Sequence, residues 1–305
     1  MLILDEAQTR DALPWAELIE ALRDMFKKGC EMPVRHHHDM QVPGEEDATL
    51  LLMPAWSPGE YVGVKVVSVF PGNMQRGLPA IYGNYLLSSG KTGQMLAIID
   101  GGELTARRTA AASALATDYL ANENSSVLTI VGTGRLAVNL AQAHSTIRPI
   151  ETIQIWGRRL EKAQELVDIL KSQGYNAVAV EDLENAVSSA DIVSCCTLSS
   201  DPLVKGAWLK KGAHLDLVGA FKPTMRESDD DAVKCASIFV DTIAGATKEG
   251  GDIVQPLQDK VITLDDIGAD LFGLARATHQ GRKTEEEITF FKSVGAALED
   301  LAGAE

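Results

Sequence analysis

Four sets of residues in this 305-residue chain have the types and spacing to do chemistry. The first is Ser126-Val-Leu-Thr-Ile-Val-Gly132-Thr133-Gly134-Arg135-Leu136-Ala137, where a run of β-formers ends in G-x-G-x-x-A and a helical pattern follows. Gly132 permits a tight turn out of the strand, and Gly134 lets the backbone approach a pyrophosphate. Ala137 is small enough for the helix to pack close to the sheet, and the helix N-terminus would face the phosphates. A strand before and a helix after make this a dinucleotide-binding loop rather than a chance glycine turn.

The second set selects between dinucleotides. An Asp or Glu roughly 20 residues past the glycine loop bonds the ribose 2′-hydroxyl of NAD. This chain has Ile155-Trp156-Gly157-Arg158-Arg159 there. No acid is present to repel a 2′-phosphate, and two guanidiniums match phosphate geometry. NADPH is favoured, with NADH possible. Arg159 also reads as the start of a solvated helix.

The third and fourth sets are basic. Lys65 stands inside the apolar run Val-Gly-Val-Lys-Val-Val-Ser-Val. Lysine is rarely buried without a partner, so Lys65 is a candidate for an anionic or imine substrate. An edge lysine that blocks aggregation is the bland alternative. In Thr105-Ala-Arg107-Arg108-Thr109, two arginines in the first turn of a helix beginning near Thr105 would oppose its dipole. A substrate carboxylate would supply the missing anion. Arg35, before His36-His37-His38, reads locally as a surface arginine. The three histidines have no acid or Cys partner at convincing spacing, and alternate side chains of an extended segment point opposite ways; no metal site is expected.

These residues need elements to hold them. Residues 14–29 read as an amphipathic helix, and 48–56, 61–70, 80–88 and 94–100 as strands, the last pair joined by a turn at 89–93. Gly101-Gly102 breaks the pattern before a helix at 105–120. After a polar linker, strands are expected near 127–131, 152–156, 176–180, 191–196, 213–218 and 237–241, alternating with helices. Thr284-Glu-Glu-Glu287 reads as a capping box opening a final helix that carries Ile288, Phe290, Phe291, Val294, Ala297 and Leu298. The expected class is α/β: a Rossmann doubly wound parallel sheet over 121–291, plus an N-terminal α+β substrate-binding and dimerisation domain over 1–120, completed by the C-terminal helix at about 292–305.

A formal net charge of −15 disfavours nucleic acid and anionic membranes as partners. Cys30, Cys195, Cys196 and Cys235 show no zinc-ligand spacing and are expected to be reduced, buried thiols. The N-terminus has no signal-peptide pattern, and no apolar run is long enough to span a bilayer, which points to a cytoplasmic protein.

Taken together, Gly63-Val-Lys65-Val-Val, Pro71-Gly-Asn73, Gly77-Leu-Pro79, Thr92-Gly93, Ile99-Asp100-Gly101, Leu104-Thr-Ala-Arg-Arg108-Thr-Ala-Ala111, Gly132-Thr-Gly134, Val218-Gly219, Pro223, Arg226-Glu227 and Lys292-Ser-Val-Gly295 resemble the ornithine cyclodeaminase/mu-crystallin family over essentially the whole chain. The resemblance implies a homodimer paired through the sheets of the first domains, with the cofactor between domains. It implies that Arg35, Lys65 and Arg108 bind substrate, with Lys65 and Arg108 catalytic. It sets Ser293 and Val294 near the nicotinamide, while Thr197, Val218 and Gly219 join the cofactor candidates. Cyclodeaminases of the family carry an aspartate where this chain has Phe221, in Val218-Gly219-Ala220-Phe221-Lys222-Pro223. A phenyl ring cannot accept a proton. The expectation is therefore reduction of a cyclic ketimine carboxylate, Δ1-pyrroline-2-carboxylate or its six-membered homologue, to L-proline or L-pipecolate. Ornithine cyclodeaminase, alanine dehydrogenase and a non-catalytic NADPH-binding protein are the alternatives.

Overall fold

The alternating apolar runs of the first hundred residues become a six-stranded sheet. The computed structural model describes residues 1–33 and 35–305, Met74 by its backbone alone. Its first strands are β1 (Leu2–Leu4), β2 (His36–Met40), β3 (Ala48–Ser57), β4 (Tyr61–Val69), β5 (Ile81–Ser89) and β6 (Met95–Asp100). They lie in the order β1-β6-β5-β4-β3-β2, antiparallel except for the β1–β6 pair. The four strands expected between 48 and 100 form close to their predicted limits. β2, built largely from histidines, carries no β-branched signal and forms as an exposed edge paired to β3. β4 lies inside the sheet, so the edge reading of Lys65 is overturned.

The Trp15–Lys28 helix begins after Pro14 and buries Leu18, Ile19, Leu22, Met25 and Phe26, one stripe at helical spacing. The next helix starts at Gly101, not Thr105, and runs to Leu120. Asp100 Oδ1 accepts from Glu103 N at 2.7 Å at its start. A side chain on Gly101 would meet Gly83 and Asn84 backbone at 2.6–2.8 Å, so glycine here permits close packing instead of breaking the helix. Arg107 and Arg108 therefore lie beyond the first turn, and the dipole argument does not apply to them.

Two compact units result: Met1–Arg108 with Ala297–Glu305, and Thr109–Ala296. In the second, β7 (Val127–Val131), β8 (Thr152–Trp156), β9 (Ala177–Val180), β10 (Ile192–Cys195), β11 (His214–Leu217), β12 (Ser237–Val240), β13 (Ile267–Asp270) and β14 (Thr289–Lys292) form one all-parallel sheet. The order is β13-β12-β14-β11-β10-β7-β8-β9. Strand order reverses between β7 and β10, the switch point at which doubly wound sheets bind ligands. The class is α/β, as expected. A buried polar cluster braces the sheet: Asp216 accepts from Ser113 at 2.9 Å and Ser194 at 2.6 Å, and lies 3.3 Å from His144 Nε2.

The expected final helix from Thr284 is corrected. The capping-box contacts form, with Glu287 N donating to Thr284 Oγ1 at 3.2 Å and Thr284 N to the Glu287 carboxylate at 3.3 Å. The chain then extends as β14, between β11 and β12, and becomes helical only at Ala297–Ala304. Phe290 and Phe291 are adjacent and both fully buried. A strand with a neighbour on each side buries consecutive residues on its two faces, which one helix face cannot do. Among the cysteines, none is in a disulfide, but only Cys195 is buried: Cys30 and Cys196 are partly exposed and Cys235 is exposed.

Candidate active site

In the second unit, β7 ends at Val131 and the chain turns at Gly132, whose φ of 132° suits glycine. A Cβ there would lie 2.8 Å from Cys196 Sγ, so the turn must pass close under the β10 loop. Gly134 differs: nothing lies within 4 Å of where a Cβ would be. Ala137 is fully buried, as a helix seated on the sheet requires. The helix Leu136–Ile147 has no side-chain cap at Arg135, which leaves amide donors at its N-terminus for a ligand. A Cβ on Gly157 would meet the Thr133 side chain at 2.5 Å, which holds the β8 loop against the glycine loop.

These loops surround a cavity of about 470 Å³. Of the cofactor candidates, Gly132, Thr133, Gly134, Gly157, Arg158 and Thr197 line it. Arg158 is exposed and makes no ion pair among the described residues. Arg159 sits at the N-cap of the next helix, 68% exposed and 4.0 Å from Glu161, as the helix-start reading has it. Val218, Gly219, Ser293 and Val294 follow β11 and β14 at the same end of the sheet, outside the lining of this cavity. Open space at Gly134 and an uncapped helix N-terminus fit a dinucleotide.

Two buried acids that the sequence reading left without a role organise this end of the sheet. Glu227 accepts from Thr197 N at 2.6 Å, Thr197 Oγ1 at 2.8 Å, Gly219 N at 2.8 Å and Ala220 N at 3.2 Å. Burial pushes the Glu227 carboxyl up, against the pull of Lys292. Asp241 accepts from Val294 N and Gly295 N, each at 2.7 Å, and from Ser293 Oγ at 3.1 Å. The segment expected near the nicotinamide is thus held by a single carboxylate. Phe221 lies past β11, 43% exposed, with the Lys222 ammonium 5.7 Å from its ring centroid.

In the first unit, Lys65 and Arg108 come together through acids of the Ala297–Ala304 helix. Lys65 Nζ is 2.9 Å from Asp300 Oδ1 and 2.7 Å from Oδ2. Arg108 Nε donates to the same Oδ1 at 3.0 Å, and its Nη1 to Glu299 Oε2 at 2.5 Å. All four residues are at least 95% buried. Burial pushes the Lys65 ammonium down to about 8, opposed by Asp300 and assisted by Arg108. The same burial would raise Asp300, but Lys65 and Arg108 hold it below the usual carboxylate range. Arg107 takes no part: it donates to Leu13 O at 2.8 Å and lies 3.9 Å over the Trp15 ring. Arg35 is half-buried, one residue before β2. The β2–β3 pairing begins at His36 opposite Leu52, and Lys65 lies on β4 opposite Met53.

Glu299 and Asp300 are what sequence reasoning missed, and a signal for them existed. Two adjacent acids in Val294-Gly-Ala-Ala-Leu-Glu-Asp-Leu-Ala need buried bases, and Lys65 and Arg108 need acids.

Comparison with known proteins agrees with this geometry. A Δ1-pyrroline-2-carboxylate reductase of Paracoccus denitrificans is 38% identical over 290 residues, 95% of this chain and 90% of that protein. The structure of Thermococcus litoralis Δ1-pyrroline-2-carboxylate reductase, in complex with NADH and L-proline, superposes with a TM-score of 0.91 at 32% identity, covering 100% of this chain and 95% of the other. An archaeal alanine dehydrogenase dimer with bound NAD gives 0.89 at 31% identity, covering 100% and 93%. Residues 3–305 match one family description. The chain belongs to the ornithine cyclodeaminase/mu-crystallin family, as an oxidoreductase of the NAD(P)-dependent kind.

Proposed function

We propose that this protein reduces a cyclic ketimine carboxylate, Δ1-pyrroline-2-carboxylate or its six-membered homologue, to L-proline or L-pipecolate, with NADPH preferred over NADH. The observation that carries this reading is Phe221. It stands where cyclodeaminases of the family carry a proton-accepting aspartate, and it offers no such atom. Deamination loses its base, while the bases for binding a carboxylate remain. The Paracoccus and Thermococcus relatives support the same substrate class.

The chain's own residues divide the work. Gly132, Thr133 and Gly134, with the first amides of the following helix, would hold the pyrophosphate, and Arg158 the 2′-phosphate. Thr197, Gly219, Ser293 and Val294 would border the nicotinamide, fixed by Glu227 and Asp241. When bound, the reduced dinucleotide supplies hydride. Arg35, Lys65 and Arg108 would bind and orient the substrate carboxylate. A protonated imine is already electrophilic at carbon, so positioning supplies most of the rate effect and the hydride step asks no proton of the chain. The product amine then takes up a proton from solvent.

A homodimer is part of the proposal. One face of the six-stranded sheet is buried through Met53, Ala55, Gly63, Lys65 and Tyr85. The other leaves Leu52, Trp56, Val62, Val64, Val66 and Leu86 only half-buried, an apolar face suited to a second copy. Sedimentation should give twice the chain mass.

The deciding experiment is a substrate panel with NADPH and NADH in parallel, followed by loss of reduced-nicotinamide absorbance. Turnover of the five- or six-membered imine is the expected result. Inertness to both sinks the ketimine reading. Net cofactor reduction with alanine identifies an alanine dehydrogenase, the reading favoured by the archaeal relative. Ammonia from ornithine without net reduction identifies a cyclodeaminase, and cofactor binding without any turnover a binding protein.

A further inference from the structure

We propose that Asp300 and Glu299 are specificity-determining residues: their charges cancel Lys65 and Arg108 so that the site accepts a zwitterion and rejects an oxo acid of the same size. The inference rests on the substrate class proposed above and deepens it.

Two cations and two anions lie in contact in one buried cluster, and its formal charge is zero. Asp300 Oδ1 is shared between Lys65 Nζ and Arg108 Nε, and Glu299 takes Arg108 Nη1. The two acids occupy Arg108 Nε and Nη1. A carboxylate arriving alone would place one uncompensated negative charge in a water-poor environment, at high cost. A carboxylate that brings its own iminium or ammonium adds no net charge, and the Asp300 carboxylate is at hand as counter-ion for the cation. A 2-oxo acid has the same carboxylate and a carbonyl carbon that hydride can attack, but it lacks the positive charge. Without the two acids, Lys65 and Arg108 would make a general anion site. With them, discrimination between imino and oxo acids is built into charge balance.

The experiment is calorimetric binding of L-proline and of 2-oxopentanoate, in the presence of NADP+, to the intact protein and to Asp300→Asn. Wild type should prefer proline. In the variant, proline should bind at least tenfold more weakly and 2-oxopentanoate no more weakly than before, so the ratio of affinities moves by at least tenfold. A merely structural role would weaken both ligands together and leave the ratio within twofold, which overturns the inference. Unchanged NADP+ affinity controls for folding. If Asp300→Asn does not fold, Glu299→Gln, at the acid that accepts from Arg108 Nη1, should shift the ratio about threefold, and an unmoved ratio has the same force. Should the ketimine reading fail in turnover, the same ratio is read with alanine and pyruvate, so the two failures are told apart.

Discussion

Lys65 and Arg108 are closed over by acids of their own chain, whereas Gly134 and Arg158 face open space. The first arrangement joins side chains separated by 191–235 residues into a buried ionic cluster. The second is made largely of backbone, with glycines where a ligand or a neighbouring loop comes close. On the proposed reading, the open space at Gly134 would take the pyrophosphate. On the proposed reading, internal neutralisation at Lys65 and Arg108 would keep charge balanced as a small ligand enters.

The sharpest way to break this contrast is to fill the open region. Gly134→Val should fold normally, because nothing lies within 4 Å of the new Cβ. It should weaken dinucleotide affinity on the order of a hundredfold by occupying pyrophosphate space. Dinucleotide titration by fluorescence reads the affinity, and a change below threefold would show that the ligand lies elsewhere.

Opening the closed region should cost stability as well as activity. Arg108→Ala takes a buried base from Glu299 and leaves Asp300 with Lys65. Removing one partner of a buried ionic group costs about 3–5 kcal/mol, to be measured by urea denaturation. Catalytic efficiency should fall at least tenfold, as for Lys65→Ala. Near-wild-type kinetics would remove these residues from the mechanism.

Arg158→Ala should raise KM for NADPH about tenfold while sparing NADH, since a charge-assisted hydrogen bond contributes about 1.5–3 kcal/mol. Arg159→Ala should change either value less than threefold, its side chain being 68% exposed. Equal effects of the two would refute the assignment of the 2′-phosphate to Arg158.

The smallest effect concerns pH. Burial brings Lys65 down to about 8, so its ammonium is present below that pH and lost as pH rises through it. L-Proline affinity should therefore decline above about pH 8 in wild type. In Lys65→Arg, whose guanidinium stays charged, the curve should be flat over that range. A wild-type profile flat to pH 9 would show that the Lys65 charge does not hold the carboxylate.

Legibility followed the range of the interactions. The glycine turn at Gly132 and the strands at 127–131 and 152–156 were readable because turn chemistry and periodicity act within a few residues. The segment after Thr284 was misread because its capping contacts are local and real, while the choice of strand over helix came from two distant neighbours, β11 and β12. Gly101 was misread as a breaker because its use is close approach to Gly83, also distant in sequence. Arg107 and Arg108 looked alike in sequence. Structure separated them, one onto Leu13 and Trp15, the other onto Glu299 and Asp300.

Sequence by itself therefore determined the glycine turn after a strand, the doubly wound class and the presence of an unaccounted base inside the apolar run at Lys65, because local backbone rules and the cost of burying charge need no coordinates. Only the tertiary structure decided which acids answer Lys65 and Arg108. That pairing depends on the Ala297–Ala304 helix returning to the first unit, and no local pattern in the chain encodes where a distant helix will pack.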